Sequence, residues 1–265
     1  MRLDDLSSTV IAPWGPGGAV TGVSRKHEIR HVDLLSQTSG IAAGAAAGSE
    51  LKTVDSYAQA INARSLYTPG HAMVYGPNSF QAFAAAFELS TGGSVDAEGS
   101  VVGGRDPVSY LQERVFDRLG VVASNWERDR RGKPNFGGGP RFTAGDWARY
   151  GQLVLQSGRW NGEQLLSEAG VRRCLGYETS AFRAYGLGWW LNRSTDGTYT
   201  PGVDSVPWPA DVRERLAVGG KIAPDVPDSM FLAYGAGNVK MFVLPSHDLV
   251  VVRLGGTADD NRFLG

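Results

Sequence analysis

The run Asn238–Gly255, NVKMFVLPSHDLVVVRLG, constrains the fold more than any other stretch. Two apolar segments, NVKMFVLP and DLVVVRLG, flank a Ser246-His247 turn, which is the pattern of a β-hairpin. A hairpin of this kind needs a layer to cover its apolar face. Upstream segments offer that layer. After Tyr75-Gly76-Pro77 comes NSFQAFAAAFEL, where Phe80, Phe83 and Phe87 recur at helical spacing and the alanines make a small, buried face. Asp106 suits an N-cap, Pro107 a first turn and Gly120 a C′ position, so residues 106–120 read as a helix. TAGDWARYGQLVLQSG reads the same way, with Thr143 as cap, Asp146 three residues on and Gly158 as terminator. A further helix is expected from Thr53 to about Arg64, and a further strand at LGWWLN around Trp189. Residues 12–24, rich in glycine and proline, read as loop, and residues 91–105 as loop or insertion. Helices dominate the middle and strands the end. The expected class is α+β, with helices packed on an antiparallel sheet.

The length of 265 residues allows one large domain or two intimate subdomains, and no linker divides the chain, so residues 1–265 are read as a single domain. Apolar residues make up 42% and charged residues 20%, an ordinary globular balance. The net charge of −1 gives no electrostatic reason to expect a nucleic-acid or anionic-membrane partner. No apolar run approaches the roughly 20 residues of a membrane helix. One cysteine, Cys174, rules out an internal disulfide. MRLDDLSSTV has no basic n-region followed by an apolar stretch, so no signal peptide is visible and the compartment stays open.

The stretch HEIRHVDLLSQTSG, from His27 to Gly40, carries two competing signals. Its first five residues spell H-E-x-x-H. In zinc peptidases two histidines four apart on one helix hold the metal, and the glutamate between them is the general base. That reading would use His27, Glu28 and His31. The Gly/Pro-rich loop running up to Ser24 puts His27 at a helix start, and only His71 and His247 remain as histidines. The expectation is that no metal binds there.

Leu34-Leu35-Ser36-Gln37-Thr38-Ser39-Gly40-Ile41 resembles the L-L-x-H/Q-T-S-G-L/I signature of the serine β-lactamase and penicillin-binding-protein superfamily, in its class C-like branch of esterases and peptidases. Further resemblances follow in order. Pro69-Gly70 with Tyr75-Gly76-Pro77-Asn78 resembles the family's P-G … Y-x-N. Asp106 to Val121 resembles the helix ending in L-G-M. Gly132-Lys133-Pro134 through Asp146 resembles G-x-P … G-G … x-T-A-x-D. Tyr185 to Trp190 resembles Y-G-L-G-W. Gly235-Ala236-Gly237 through Val252 resembles the final hairpin.

The resemblance implies a β-lactamase/transpeptidase-like fold, with an antiparallel sheet, packed helices and an all-helical subdomain. It implies acyl transfer through an acyl-serine, with a lysine in S-x-x-K and the Y-x-N tyrosine activating the serine, and no cofactor. Tyr75 is then the catalytic tyrosine. Asn78 is the Y-x-N asparagine, one place late, and Tyr234, Gly235, Ala236 and Gly237 form the substrate and oxyanion strand. Tyr234 stands roughly where the family carries a cation. The partner implied is a small ester, amide or peptide. Family members are often exported. No S-x-x-K lies upstream of Leu34, and Arg2-Leu3-Asp4-Asp5 resembles the segment that follows the nucleophile helix. The chain is therefore expected to be an inactive fragment, with Asn261–Gly265 standing where a terminal helix usually begins. Ser49-Glu50-Leu51-Lys52 has the S-x-x-K spacing but falls after the T-S-G signature. A zinc peptidase and a non-catalytic binding module are the alternatives.

Overall fold

The computed structural model describes residues 26–44, 48–195 and 208–255. The expectations for residues 12–24, Arg2–Asp5 and Asn261–Gly265 lie outside them. Two compact units form. The first takes the described residues up to Glu113 together with Ala123–Arg141, and the second takes Arg114–Val122 and the described residues from Phe142 on.

In the first unit the helices α1 (His31–Leu35), α2 (Ser56–Ile61) and α3 (Pro77–Ser90) come first. The alanine-rich face of α3 does what its sequence suggests. Ala82, Ala84, Ala85 and Ala86 are buried, and they pack against Ile29, Leu34 and Ile41 on one side and Tyr57 and Ile61 on the other. Small side chains let α2 approach closely, because buried packing tolerates few voids. The helix expected over 53–64 is shorter. Gly48–Thr53 forms a 3₁₀ turn, and the Asp55 carboxylate accepts from the Ala58 amide to start α2 only at Ser56.

Residues 91–105 correct the expectation of a loop. They contain an antiparallel hairpin, β1 (Gly93–Val95) with β2 (Val101–Gly103). Its turn is closed by Asp96, whose carboxylate accepts from the Glu98 and Ser100 amides, and by the left-handed Gly99 at φ +81°. Short glycine-rich strands carry too little apolar alternation to be read from sequence. The helix α4 (Pro107–Leu111) starts on the Asp106 cap as expected, and a π-helical turn, Gln112–Phe116, carries it into α5 (Asp117–Leu119). Gly120 ends it in the left-handed region at φ +62°. The strands β3 (Asn125–Trp126) and β4 (Pro140–Arg141) pair.

Between β3 and β4 the loop is fixed by one buried carboxylate. Asp129 Oδ2 accepts from the Ser56 amide and hydroxyl, both at 2.7 Å. Its Oδ1 accepts from the amides of Arg131 at 2.8 Å and Lys133 at 2.9 Å. Lys133 in turn pairs with Glu88, buried at the end of α3, while the Tyr57 hydroxyl donates to the other Glu88 oxygen.

The second unit is helix on sheet. Its helices are α6 (Ala144–Leu155), α7 (Glu168–Gly176) and α8 (Ala210–Ala217). A small hairpin joins β5 (Arg159–Trp160) to β6 (Glu163–Gln164), and the main strands are β7 (Trp190–Leu191), β8 (Phe231–Gly235), β9 (Val239–Leu244) and β10 (Leu249–Arg253). The sheet order is β10-β9-β8-β7, all antiparallel. The expected hairpin is β9–β10. Its turn holds Pro245–His247, with Asp248 left-handed at φ 49°. Thr143 caps α6 as expected, accepting from the Asp146 amide. Gly151 lets α6 lie on the sheet, since a Cβ there would stand 2.6 Å from Met241 Sδ and 2.8 Å from Val250 Cγ1. Trp189, Leu191, Phe231, Met241 and Val243 form the core beneath.

One residue breaks the apolar pattern of β9. Lys240 is fully buried, directly across from Tyr234 on β8 and Arg253 on β10. Its amine lies 4.8 Å from the centre of the Tyr234 ring. Burial, and secondarily Arg253, pulls that amine down to about 8.

Two outcomes follow. Asp129→Asn keeps the shape but turns an NH₂ toward two donors, so we expect roughly 2–4 kcal/mol of lost stability, read as a lowered denaturant midpoint. A change below about 0.5 kcal/mol, the ordinary surface range, would show that the four bonds do not matter. Second, the Lys240 ammonium is disfavoured in the folded state relative to the unfolded chain. Stability from this group therefore rises as pH climbs through about 8 toward the ordinary 10.5. In ¹³Cε-lysine NMR one resonance should titrate near 8 and vanish in Lys240→Met, and a Lys240 midpoint at 10 or above would contradict the burial argument.

Candidate functional site

The signature Ser36–Ile41 is polar yet buried: Ser36, Gln37, Thr38 and Ser39 are each at most 1% exposed. Their polar groups are satisfied largely by the chain itself, as buried polar atoms require. The Ser36 hydroxyl donates to Val32 O and bonds Thr38 Oγ1, and Ser39 Oγ bonds Ser79 Oγ at 2.9 Å. Backbone bonds complete a seam. Gly70 N–H donates to Thr38 O, Val74 N–H to Gln37 O, and Asn78 N–H to Ala43 O. Gly40 sits at φ +76°, and a Cβ there would lie 2.1 Å from Tyr67 O, so only glycine passes.

This seam presents Tyr75. The residue is half-buried, just ahead of Gly76, the N-cap of α3. Gly76 is extended, and a Cβ there would lie 2.5 Å from Ala43 O, so the chain is pressed against the 42–44 segment at this point. Asn78 falls inside the first turn of α3 and is 6% exposed. Its amide donates to Ala42 O at 2.8 Å, and Gly44 packs against it. Asn78 is thus a strut between α3 and the 42–44 segment. Gln37, whose letter in the signature carries no sign of this role, holds both neighbours of Tyr75. Its carbonyl accepts from Val74 N–H at 2.8 Å and its side-chain Oε1 from Gly76 N–H at 3.2 Å.

In the second unit, Tyr234 and Gly235 end β8, and the turn that follows contains Ala236, Gly237 and Asn238. Gly237 and Asn238 are both left-handed, at φ 71° and 63°, which closes the tight turn into β9. Partner strand β7 pairs only with Phe231 and Leu232, so it stops short of Tyr234. The Tyr234 ring stacks obliquely on Trp208, with centroids 4.7 Å apart, and Lys240 underlies it. Burial raises the Tyr234 hydroxyl above the usual phenol range, against a smaller opposite effect from Arg253. No sequence pattern other than one lysine inside an apolar strand announced this cation.

The other candidates fall elsewhere. His27 lies on a 3₁₀ turn, Lys26–Glu28, and pairs with its neighbour Glu28 at 3.7 Å. His31 opens the separate helix α1, with its ring edge-on to Phe83 at 6.0 Å. The single helix that H-E-x-x-H chemistry needs is not formed. Among the described residues no group of three or more His, Cys, Asp or Glu could hold a metal ion. His71 and His247 are exposed. Ser49 and Lys52 share the 3₁₀ turn Gly48–Thr53, and Lys52 is exposed. A cavity of about 180 Å³ against α3 and α4 is walled by the largely apolar side chains of Phe83, Phe87, Tyr110 and Phe136.

No curated protein matches the chain by sequence. Solved structures do match by fold. A putative 6-aminohexanoate-dimer hydrolase from Bacillus anthracis gives a TM-score of 0.65 at 14% identity, over 98% of this chain and 63% of that one. A putative β-lactamase from Bacteroides dorei gives 0.54 at 19% identity, over 89% and 67%. A penicillin-binding-protein homologue from Caulobacter crescentus gives 0.58 at 15% identity, over 96% and 72%. The chain thus spans about two thirds of the length of the first two. At these identities the likeness speaks to fold, which is β-lactamase/transpeptidase-like. The family model described as Beta-lactamase matches residues 3–262, and with the seam and the late antiparallel sheet both formed, the chain belongs to the Beta-lactamase family of serine hydrolases.

Proposed function

We propose that the chain carries two elements of ester- or amide-directed acyl-transfer chemistry, one in each unit. Tyr75 of the first takes the proton of an attacking serine, and the β8 end of the second, at Tyr234, Gly235, Ala236 and Gly237, offers a backbone donor to an acyl oxygen. The observation that carries this reading is Tyr75 at the head of α3, with both its neighbours bonded to Gln37 of the buried signature, within a chain of this family. Asn78 acts by holding the 42–44 segment against α3. The substrate class is a small ester, amide or peptide. Proteins of like fold are named a putative β-lactamase and a putative 6-aminohexanoate-dimer hydrolase. Lys240 beneath Tyr234 puts a cation one layer under the position where the family carries one.

A serine near neutral pH needs its base, its lysine and its oxyanion donors together. In this sequence no S-x-x-K stands ahead of the T-S-G signature, and the one at Ser49–Lys52 comes after it. We therefore propose that the chain as given forms no acyl-enzyme. Incubated with a fluorophosphonate probe or p-nitrophenyl acetate, it should show no mass adduct and no burst. A stoichiometric adduct on Ser49, lost in Lys52→Ala, would overturn this proposal.

Placing an S-x-x-K segment in frame ahead of the chain tests the tyrosine itself. If that form acylates, Tyr75→Phe should slow acylation by about 10²–10⁴-fold, the usual worth of a positioned acid–base group. An unchanged rate would remove Tyr75 from the site.

A further inference from the structure

Gln37 is fully buried and left-handed at φ 61°, a conformation uncommon for a residue that is not glycine. It is the first residue past the C-cap of α1, and its own amide donates back to Leu34 O at 3.2 Å. That backbone form turns the chain so that main chain and side chain of one residue face the same neighbour. The carbonyl takes the Val74 amide and Oε1 takes the Gly76 amide, the residues immediately before and after Tyr75.

The arrangement carries a cost. Gln37 Nε2 is buried with no hydrogen-bond partner among the described residues. A buried donor left unmade is unfavourable, and an apolar side chain of the same length would avoid it. What an apolar side chain could not supply is the acceptor for Gly76. Gly76 has no side chain to hold it, and α3 has no side-chain cap bond at this end. The Oε1 bond is therefore the side-chain tether at Gly76 itself, the residue by which Tyr75 leaves the seam for α3.

We propose that Gln37 is a positioning residue for Tyr75, acting through its paired bonds to Val74 and Gly76. The role rests on the reading of Tyr75 given above, but the positioning is a separate physical claim. Val74 is held by backbone alone, so changing the side chain should release one anchor and spare the other. A residue that merely filled the core would not discriminate between them.

The test is amide hydrogen exchange and ¹³Cζ-tyrosine NMR on the full chain, in wild type and in Gln37→Met, which keeps the length and approximate size of the side chain and removes its acceptor. Gly76 exchange should speed up at least tenfold with Val74 unchanged, and the Tyr75 ¹³Cζ resonance should shift. Gln37→Glu, which restores an acceptor, should return Gly76 toward wild-type protection. Equal exchange at Gly76 in wild type and Gln37→Met, or no movement of the Tyr75 signal, would overturn the proposal. If Gln37→Met does not fold, the wild type still decides. A through-hydrogen-bond coupling between Gly76 ¹⁵N and Gln37 ¹³Cδ is expected, and its absence, with rapid exchange at Gly76, refutes the tether. If the tether holds but Tyr75→Phe leaves acylation of the S-x-x-K-extended form unchanged, the positioning stands and the catalytic reading of Tyr75 falls.

Discussion

The first unit depends on a buried polar seam, Ser36 to Ala43, laid against residues 66–79. Polar atoms taken out of water are stable only if each finds a partner. Here the partners are fixed in register: Gly40 with Leu66 and Tyr67, Thr38 with Gly70, Gln37 with Val74 and Gly76, Ser39 with Ser79, and Ala42 and Ala43 with Asn78. Slipping the seam by one residue would break all of these at once. That is a stronger determinant of position than apolar packing, which tolerates small shifts. The start of α3, and so the location of Tyr75, is set by hydrogen bonds whose donors and acceptors are spread over some forty residues of sequence.

The second unit solves a different problem. Its sheet is covered by α6 through the gap at Gly151, and its buried cation, Lys240, sits across from Tyr234 on one strand and Arg253 on the other. Lys240 is an expensive choice in an apolar strand. Its position under Tyr234, rather than anywhere else in β9, ties that cost to the end of β8. The tight left-handed pair Gly237-Asn238 then fixes how β8 ends.

Much of this was legible in the sequence where one residue type has one physical use. Asp106, Thr143 and Gly120 announce helix ends, and each performs that task. The β9–β10 hairpin was readable because its strands are apolar and interrupted by a turn. The β1–β2 hairpin was not, because its strands are three residues long and rich in glycine and serine, so its stability comes from Asp96 closing the turn and from packing on α3. Likewise α2 begins three residues later than expected, since Asp55 caps it. The signature 36–41 pointed to the family, but nothing in its letters said that Gln37 would grip both sides of Tyr75. That depends on a left-handed backbone and a partner nearly forty residues away, and neither is a local property.

The central claim is that the buried seam sets where Tyr75 stands. Gly40 tests it without any need for turnover, because it is left-handed at φ +76° and a Cβ there would lie 2.1 Å from Tyr67 O. In Gly40→Ala the seam must shift against residues 66–79, and the account predicts that the Tyr75 ring resonances move with it. Tyr75 signals unmoved in a folded Gly40→Ala protein would contradict the account.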